Sequence, residues 1–156
     1  MLHSFKGLLD YHAVAMATYG ITLLENYRIQ KNVNSSDLAI KHADKLMGIG
    51  LQIDSTILFP YCFNYKFYDR DLMEAPWYSA MAQGKALSLF SRLYEVTGEQ
   101  KYFRIAKRIN RSFSRMKPTH HIWFTCVDED NHLWLEEYPF EAPSHVLNGM
   151  IFAIDG

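Results

Sequence analysis

Four stretches of the chain carry apolar residues at steps of three and four, and short aromatic or β-branched runs lie between them. From Ala13 to Lys31, Val14, Ala17, Ile21 and Leu24 share one side of a 3.6-residue period, which predicts an amphipathic helix. Asn34-Ser35-Ser36 offers an N-cap to a second helix over Asp37–Met47, with Ala39, Ala43 and Leu46 as its core face and Gly48 and Gly50 as its stop. Residues 57–63 and 65–68, parted by Asn64, predict a hairpin in which Pro60 marks an edge strand. Asp69-Arg70-Asp71 and Pro76 predict a loop. A third helix is expected over Trp77–Thr97, with Ala86, Leu89, Leu93 and Val96 on one side and Gly98 closing it. A fourth is expected over Gln100–Arg115, lined by Tyr102, Ile105, Ile109 and Phe113 and stopped by Pro118. A second hairpin, His121–Val127 and His132–Tyr138, turns at residues 128–131, and a fifth helix starts near Ser144.

Read as units, this order is a repeat: helix, helix, hairpin, twice over, then a helix. Met16-Ala17-Thr18-Tyr19-Gly20 answers Met81-Ala82-Gln83-Gly84 with one residue dropped, and Leu147-Asn148-Gly149 more loosely; Cys62 and Cys126 fall in equivalent hairpins. Each helix pair needs a neighbour to bury its apolar face. A glycine early in each first helix costs about 1 kcal/mol against alanine, so close approach of another backbone or of a ligand is the expected reason for it. The fold class expected is mainly α, a partial α/α toroid with short β-hairpins at one mouth. It forms a single helical domain over residues 1–156, two and a half units long and truncated at its C-terminal end, with an apolar open edge through which the chain self-associates.

Composition narrows the partners. The net charge of −1 supplies no field for nucleic acid, and no run of about 18 apolar residues spans a membrane. Met1–Gly7 lacks the basic start and apolar run of a signal peptide and fixes no compartment. Ten Tyr, ten Phe and three Trp in 156 residues suit either an aromatic helical core or a surface that grips sugars. The basic series Lys101, Arg104, Arg108, Arg111 and Arg115 reads as a solvated outer face. His120, His121, His132 and Asp128 fit no standard zinc spacing, and no metal is expected. Cys62 and Cys126 could pair, but two buried thiols are the commoner case.

The chemistry concentrates in Trp134–Gly149, where three carboxylates, a phenol, an indole and a carboxamide surround two prolines. The end of a strand, a rigid turn and a helix start meet there. Along a strand Glu136 and Tyr138 share one face and Glu137 faces away, unless the proline turn rotates it. Trp77, Gln83 and Asn148 are candidate sugar contacts. The alternatives are a core tryptophan and interhelical or capping hydrogen bonds. His145 at the helix start reads as structural.

Three blocks occur in order: Trp77-Tyr78-Ser79-Ala80-Met81-Ala82-Gln83-Gly84, Trp134-Leu135-Glu136-Glu137-Tyr138-Pro139 and Ser144-His145-Val146-Leu147-Asn148-Gly149. From about His12 onward the chain resembles the C-terminal helical domain of the D-glucuronyl C5-epimerases. The resemblance implies an α/α toroid domain that inverts C5 of glucuronate to iduronate within a heparan-type polysaccharide, an anionic partner. It places a tyrosine, here Tyr138, at the site, with Glu137 orienting the phenol or sharing its proton, and Glu136, Trp77, Gln83 and Asn148 near the sugar. Such chemistry needs a base, an acid on the other face and a donor for the enediolate-like intermediate, and in principle no cofactor. Leu135 stands where animal members carry an aromatic residue. The family's further site tyrosines fall beyond Gly156 and its N-terminal β-rich domain is absent, so the chain alone is expected not to turn over. A toroid lyase using the same Tyr138, a glycosidase drawing on Glu136, Glu137 and Glu141, and a non-catalytic glycan-binding piece are the competing readings.

Overall fold

The computed structural model describes residues 2–5, 8–69 and 72–156. The loop expected at Asp69-Arg70-Asp71 lies in part outside the described residues, as do Met1, Lys6 and Gly7 of the N-terminal segment read above. Strands β1 (Leu2–Phe5) and β2 (Leu8–Tyr11) pair antiparallel ahead of the first helix.

Helix α1 (Ala13–Gln30) ends where Lys31 enters the left-handed region at φ 56° and donates its N–H to the Tyr27 carbonyl. Helix α2 (Val33–Ile49) begins at once, capped by Asn32, whose Oδ1 accepts from the Asn34 N–H at 3.1 Å. The cap is therefore not Asn34-Ser35-Ser36. Ser35 lies buried inside the helix and accepts a hydrogen bond from Asn26 of α1. Helix α3 (Ala80–Thr97) stops at Gly98, which takes the left-handed φ of 70° that glycine adopts without strain. Helix α4 (Gln100–Asn110) gives way to a 3-10 turn over Arg111–Ser114, and α5 (Leu147–Ile154) closes the described chain.

The helices α1, α3 and α5 start at Ala13, Ala80 and Leu147, an even spacing along the chain. In space α1 packs on α3 and α3 on α5, while α2 and α4 cover α1 and α3. Two helix pairs and a fifth helix thus form the arc of an α/α toroid. Met16, Leu24, Ala43, Leu46, Leu89, Phe90, Leu93, Tyr102 and Ile109 fill its core. Val96, expected on that core face, is exposed at the end of α3. Leu147, Ile151, Phe152 and Ile154 of α5 are also exposed.

The recurrence of Gly20, Gly84 and Gly149 along the chain has a steric cause. A methyl group on Gly84 would sit 2.5 Å from the Ala153 carbonyl oxygen, so α3 and α5 touch backbone to backbone. On Gly20 it would meet Leu89 at 2.9 Å, and on Gly149 it would overlap the Glu137 side chain.

The connections depart from the single early hairpin expected. β3 (Leu51–Ile53) pairs with β4 (Thr56–Leu58) through a turn at Asp54, φ 53°, and β5 (Tyr65–Lys66) pairs with β6 (Leu72–Met73). Between them Phe59, Pro60 and Tyr61 are buried, and Tyr61 exchanges both backbone hydrogen bonds with Trp77. Burial of the aromatic run outweighed its pairing across Asn64. Trp77 consequently lies in a bridge three residues before α3, not in the helix. β7 (Thr125–Val127) pairs with β8 (Leu133–Leu135), bringing Cys126 opposite Trp134. Cys62 lies outside the strands and at the surface, so the two cysteines, both thiols, are neither equivalent in position nor both buried.

The basic series is not one solvated face. Arg108 reaches Gln52 and the Thr56 carbonyl, holding β3–β4 against α4, and the nearly buried Arg115 donates to the Ile122 carbonyl at 3.0 Å. No helix among the described residues is long and apolar enough to cross a membrane.

Candidate active site

The segment leaving β8 is fixed by its backbone before any side chain is considered. The Glu136 N–H donates to the Phe124 carbonyl at 2.7 Å, and its own carbonyl accepts from the Ala80 N–H at 2.9 Å. Strand alternation ends there, because β8 stops at Leu135 and the chain bends at Glu137 and Tyr138. The expectation that Glu136 and Tyr138 share a face fails for that reason. Glu136 turns inward, and both Glu137 and Tyr138 line one cavity.

Glu136 is fully buried and its carboxylate is the spool on which the following loop is wound. It accepts from the Ser144 N–H at 3.0 Å, the Ser144 hydroxyl at 2.8 Å and the His145 N–H, and it lies 2.7 Å from His145 Nδ1. The Cys126 thiol also points at it, 3.8 Å away, and burial, helped by that carboxylate, pushes this thiol up to about 11. Cys126, Glu136 and His145 bring ligand-type atoms within 4.8 Å of one another, but as donors and acceptor of the same cluster. These bonds hold His145 at φ 50°, a conformation a non-glycine residue adopts only under constraint. Glu136 is therefore an anchor of the loop and not a sugar contact. A carboxylate with this many donors is recognisable only from the structure.

Gln83 is corrected in the same way. Its side chain is fully buried, accepts from the Phe59 N–H at 3.0 Å and donates to the Ile57 carbonyl and the Ser112 hydroxyl, both at 2.8 Å. It ties α3 to the strand-like segment after β4 and to the turn after α4, and nothing of it faces a ligand. Asn148 is exposed near the start of α5 and does not line the cavity.

The cavity holds about 540 Å³ and is built by the segments that precede the three inner helices, together with β5. His12 before α1, Trp77 and Ser79 before α3, and Glu137 and Tyr138 before α5 line it, joined by Tyr61, Tyr65 and Lys66. His12 caps α1, its Nδ1 accepting from the Ala15 N–H at 3.3 Å, and its ring meets Tyr61 edge-on at 4.9 Å. Tyr61 stacks on Trp77 at 4.2 Å, and the Trp77 indole N–H donates to the Phe63 carbonyl at 2.8 Å. Trp77 lines the cavity, and with its donor engaged and the rings of Tyr61, Phe63, Tyr65 and Tyr138 around it, it forms wall. The ring of Tyr138 lies nearly parallel to Tyr65 at 5.2 Å and to Phe67 at 4.7 Å. The Tyr65 hydroxyl and the Glu137 carboxylate are near enough to its own hydroxyl to raise that group's proton affinity.

The electrostatics follow from this enclosure. Burial, then the bonds to Tyr65 and Glu137, push the Tyr138 phenol well above its ordinary value, so it stays protonated. Burial likewise raises Glu137, while the bond to Tyr138 works against the rise. The Tyr61 phenol is held up by burial too, against a smaller lowering by the Val14 backbone. The arrangement can hold one mobile proton between a carboxylate and a phenol at the wall of an aromatic cavity. Tyr61, Tyr65 and Phe67 were visible in the sequence only as a presumed hairpin, and His12 only as a residue ahead of a helix.

Residues 53–156 match the family model described as D-glucuronyl C5-epimerase C-terminus. A D-glucuronyl C5-epimerase of Caenorhabditis elegans is 30% identical over 89 residues, which are 56% of this chain and 14% of that protein. Among solved structures, a glycoside hydrolase family 76 mannosidase from Bacteroides thetaiotaomicron superposes with a TM-score of 0.56 at 22% identity, over 85% of this chain and 35% of the mannosidase. That likeness bears on the fold alone, an α/α toroid. The chain spans about a seventh of the nematode protein's length and about a third of the mannosidase's.

Proposed function

Because the chain belongs to the D-glucuronyl C5-epimerase C-terminal family, we propose that it supplies the proton-handling wall of an epimerase acting on glucuronate within an anionic, heparosan-type polysaccharide. The observation that carries this reading is the shared position of Glu137 and Tyr138, side by side on the wall of one aromatic cavity, where burial raises the proton affinity of both.

The C5 hydrogen of a uronate is weakly acidic because the carbanion spreads into the adjacent carboxylate. A phenol held protonated is a poor base by itself. With Glu137 beside it, Tyr138 can take the C5 proton while its own proton passes to the Glu137 carboxylate. The balance is one proton from C5 to Glu137, with the phenol unchanged. Run backwards, protonated Glu137 refills Tyr138 as the phenol delivers its proton to C5. Raised proton affinity suits a relay of this kind: burial makes the resting Glu137 carboxylate a stronger proton acceptor, and the phenol is deprotonated only in transit. The group serving the opposite face of the sugar is a separate requirement.

The test is solvent exchange. The longest protein its gene encodes is incubated with heparosan-type polymer in D2O, and deuterium at C5 and the fraction of iduronate are read by NMR. Tyr138→Phe and Glu137→Gln are each expected to lower exchange about 10²- to 10⁴-fold. Full exchange in Tyr138→Phe, or unsaturated uronate or shortened chains in place of iduronate, overturns the assignment.

A further inference from the structure

Tyr65 is a second phenol in the cavity to which neither the family match nor the sequence motifs give a role. It sits on β5, a two-residue strand held by pairing with β6, so its position comes from a part of the chain remote from the Glu137–Tyr138 bend. Its ring lies 5.2 Å from that of Tyr138 with only 17° between the planes, and 5.7 Å from Trp77. Phe67, two residues on, lies 4.7 Å from Tyr138 at 22°. Two near-parallel neighbours restrict the tilt of the Tyr138 ring, which leaves the direction of its O–H as the main freedom. The Tyr65 hydroxyl, like the Glu137 carboxylate, is near enough to that O–H to favour its protonated form.

We infer that Tyr65 is the positioning residue of the site: its ring fixes the Tyr138 plane, and its hydroxyl competes with Glu137 for the Tyr138 hydrogen. The competition has a chemical use. A phenol bonded only to Glu137 would direct its hydrogen permanently at the carboxylate. A second acceptor lets the hydrogen swing away, which frees an oxygen lone pair for the sugar at one stage and presents the hydrogen at the next. Phenylalanine at position 65 keeps the stack and removes the second acceptor, so the two contributions separate by substitution.

This inference rests on the proposed epimerase reading, and its test is arranged so that the two fail differently. C5 exchange by wild type, Tyr65→Phe, Tyr65→Leu and Tyr138→Phe is followed against pH and substrate concentration in the full-length protein. Tyr65→Phe is expected to lower kcat about tenfold with KM within twofold. Its alkaline limb should move to lower pH, because the bond that favours the protonated phenol is gone. The other titratable or charged groups lining the cavity, His12, Tyr61, Lys66 and Glu137, are unchanged in that variant. Tyr65→Leu is expected to lose more, since it also removes the stack. A mere wall residue would lower kcat without moving the limb. If Tyr138→Phe is inactive while Tyr65→Phe matches wild type in kcat and pH profile, the positioning role is refuted and the epimerase reading survives. If Tyr138→Phe retains full exchange, the reading beneath it falls and Tyr65 has nothing to position.

Discussion

Replacing Gln83 by leucine separates a structural tie from a sugar contact. The side chain is close in volume, so the cavity term is small and the loss is one of hydrogen bonding. In the folded chain Gln83 satisfies the Phe59 N–H and the Ile57 carbonyl, and accommodates the Ser112 hydroxyl, all buried. Ser112 still donates to the Ile109 carbonyl at 2.6 Å after the change, so its loss is slight. Two backbone groups remain without partners, each costing about 1 to 3 kcal/mol, which puts the variant about 2 to 6 kcal/mol below wild type. For a domain of this size that is roughly 5 to 20 °C in Tm. Urea unfolding followed by far-UV circular dichroism, with thermal melts in parallel, measures it. A Gln83→Leu chain within about 0.5 kcal/mol of wild type, yet unable to bind the polymer, would falsify the reading of Gln83 as a tie.

Further outcomes follow from the same geometry. Gly149→Ala brings a methyl into the Glu137 side chain and is expected to cost about 1 to 3 kcal/mol and to displace the carboxylate; unaltered stability together with unaltered exchange would count against that packing. Glu136→Leu strands the Ser144 and His145 donors and should cost several kcal/mol, at least about 3, by denaturant titration; a melt unchanged from wild type contradicts the anchor. Glu137 holds its proton more tightly folded than unfolded, so the native state binds the extra proton. Its contribution to stability therefore falls as pH rises from the ordinary glutamate value of 4.5 through the raised one. Wild type should lose ground to Glu137→Gln across that window, and parallel pH–stability curves would disprove the shift. The exposed Leu147, Ile151, Phe152 and Ile154 face of α5 should support concentration-dependent association, read by sedimentation velocity and removed by Ile151→Glu; a sharp monomer at high concentration is the opposing result.

The helices were legible because their apolar period is long, and α3 in addition because it stops at Gly98, a glycine in the conformation glycine favours. The repeat was legible because close packing at Gly20, Gly84 and Gly149 leaves a mark in the sequence. Pairing was less so. Residues 57–63 look like a strand by composition, yet burial of Phe59 and Tyr61 set their course and moved the hairpin to residues 51–58. Of the site, Glu137 and Tyr138 came from the motif, and the bend that turns both toward one cavity came from the structure. Glu136 and Gln83 could not be sorted beforehand, since a buried acceptor and a ligand-facing one are the same letter. Tyr65 was hidden because its partner lies more than seventy positions away.

Glu136 and Glu137 are neighbours with opposite assignments, one knotted to Ser144 and His145 and the other open to the cavity. A single peptide link joins them, so slack in the knot reaches the cavity without any intermediary. Under the proposed relay, substitution at Ser144, which stands outside the cavity lining, would become a tuning screw for proton transfer. Evolution or a designer could reset the reactivity of the wall by editing its back side.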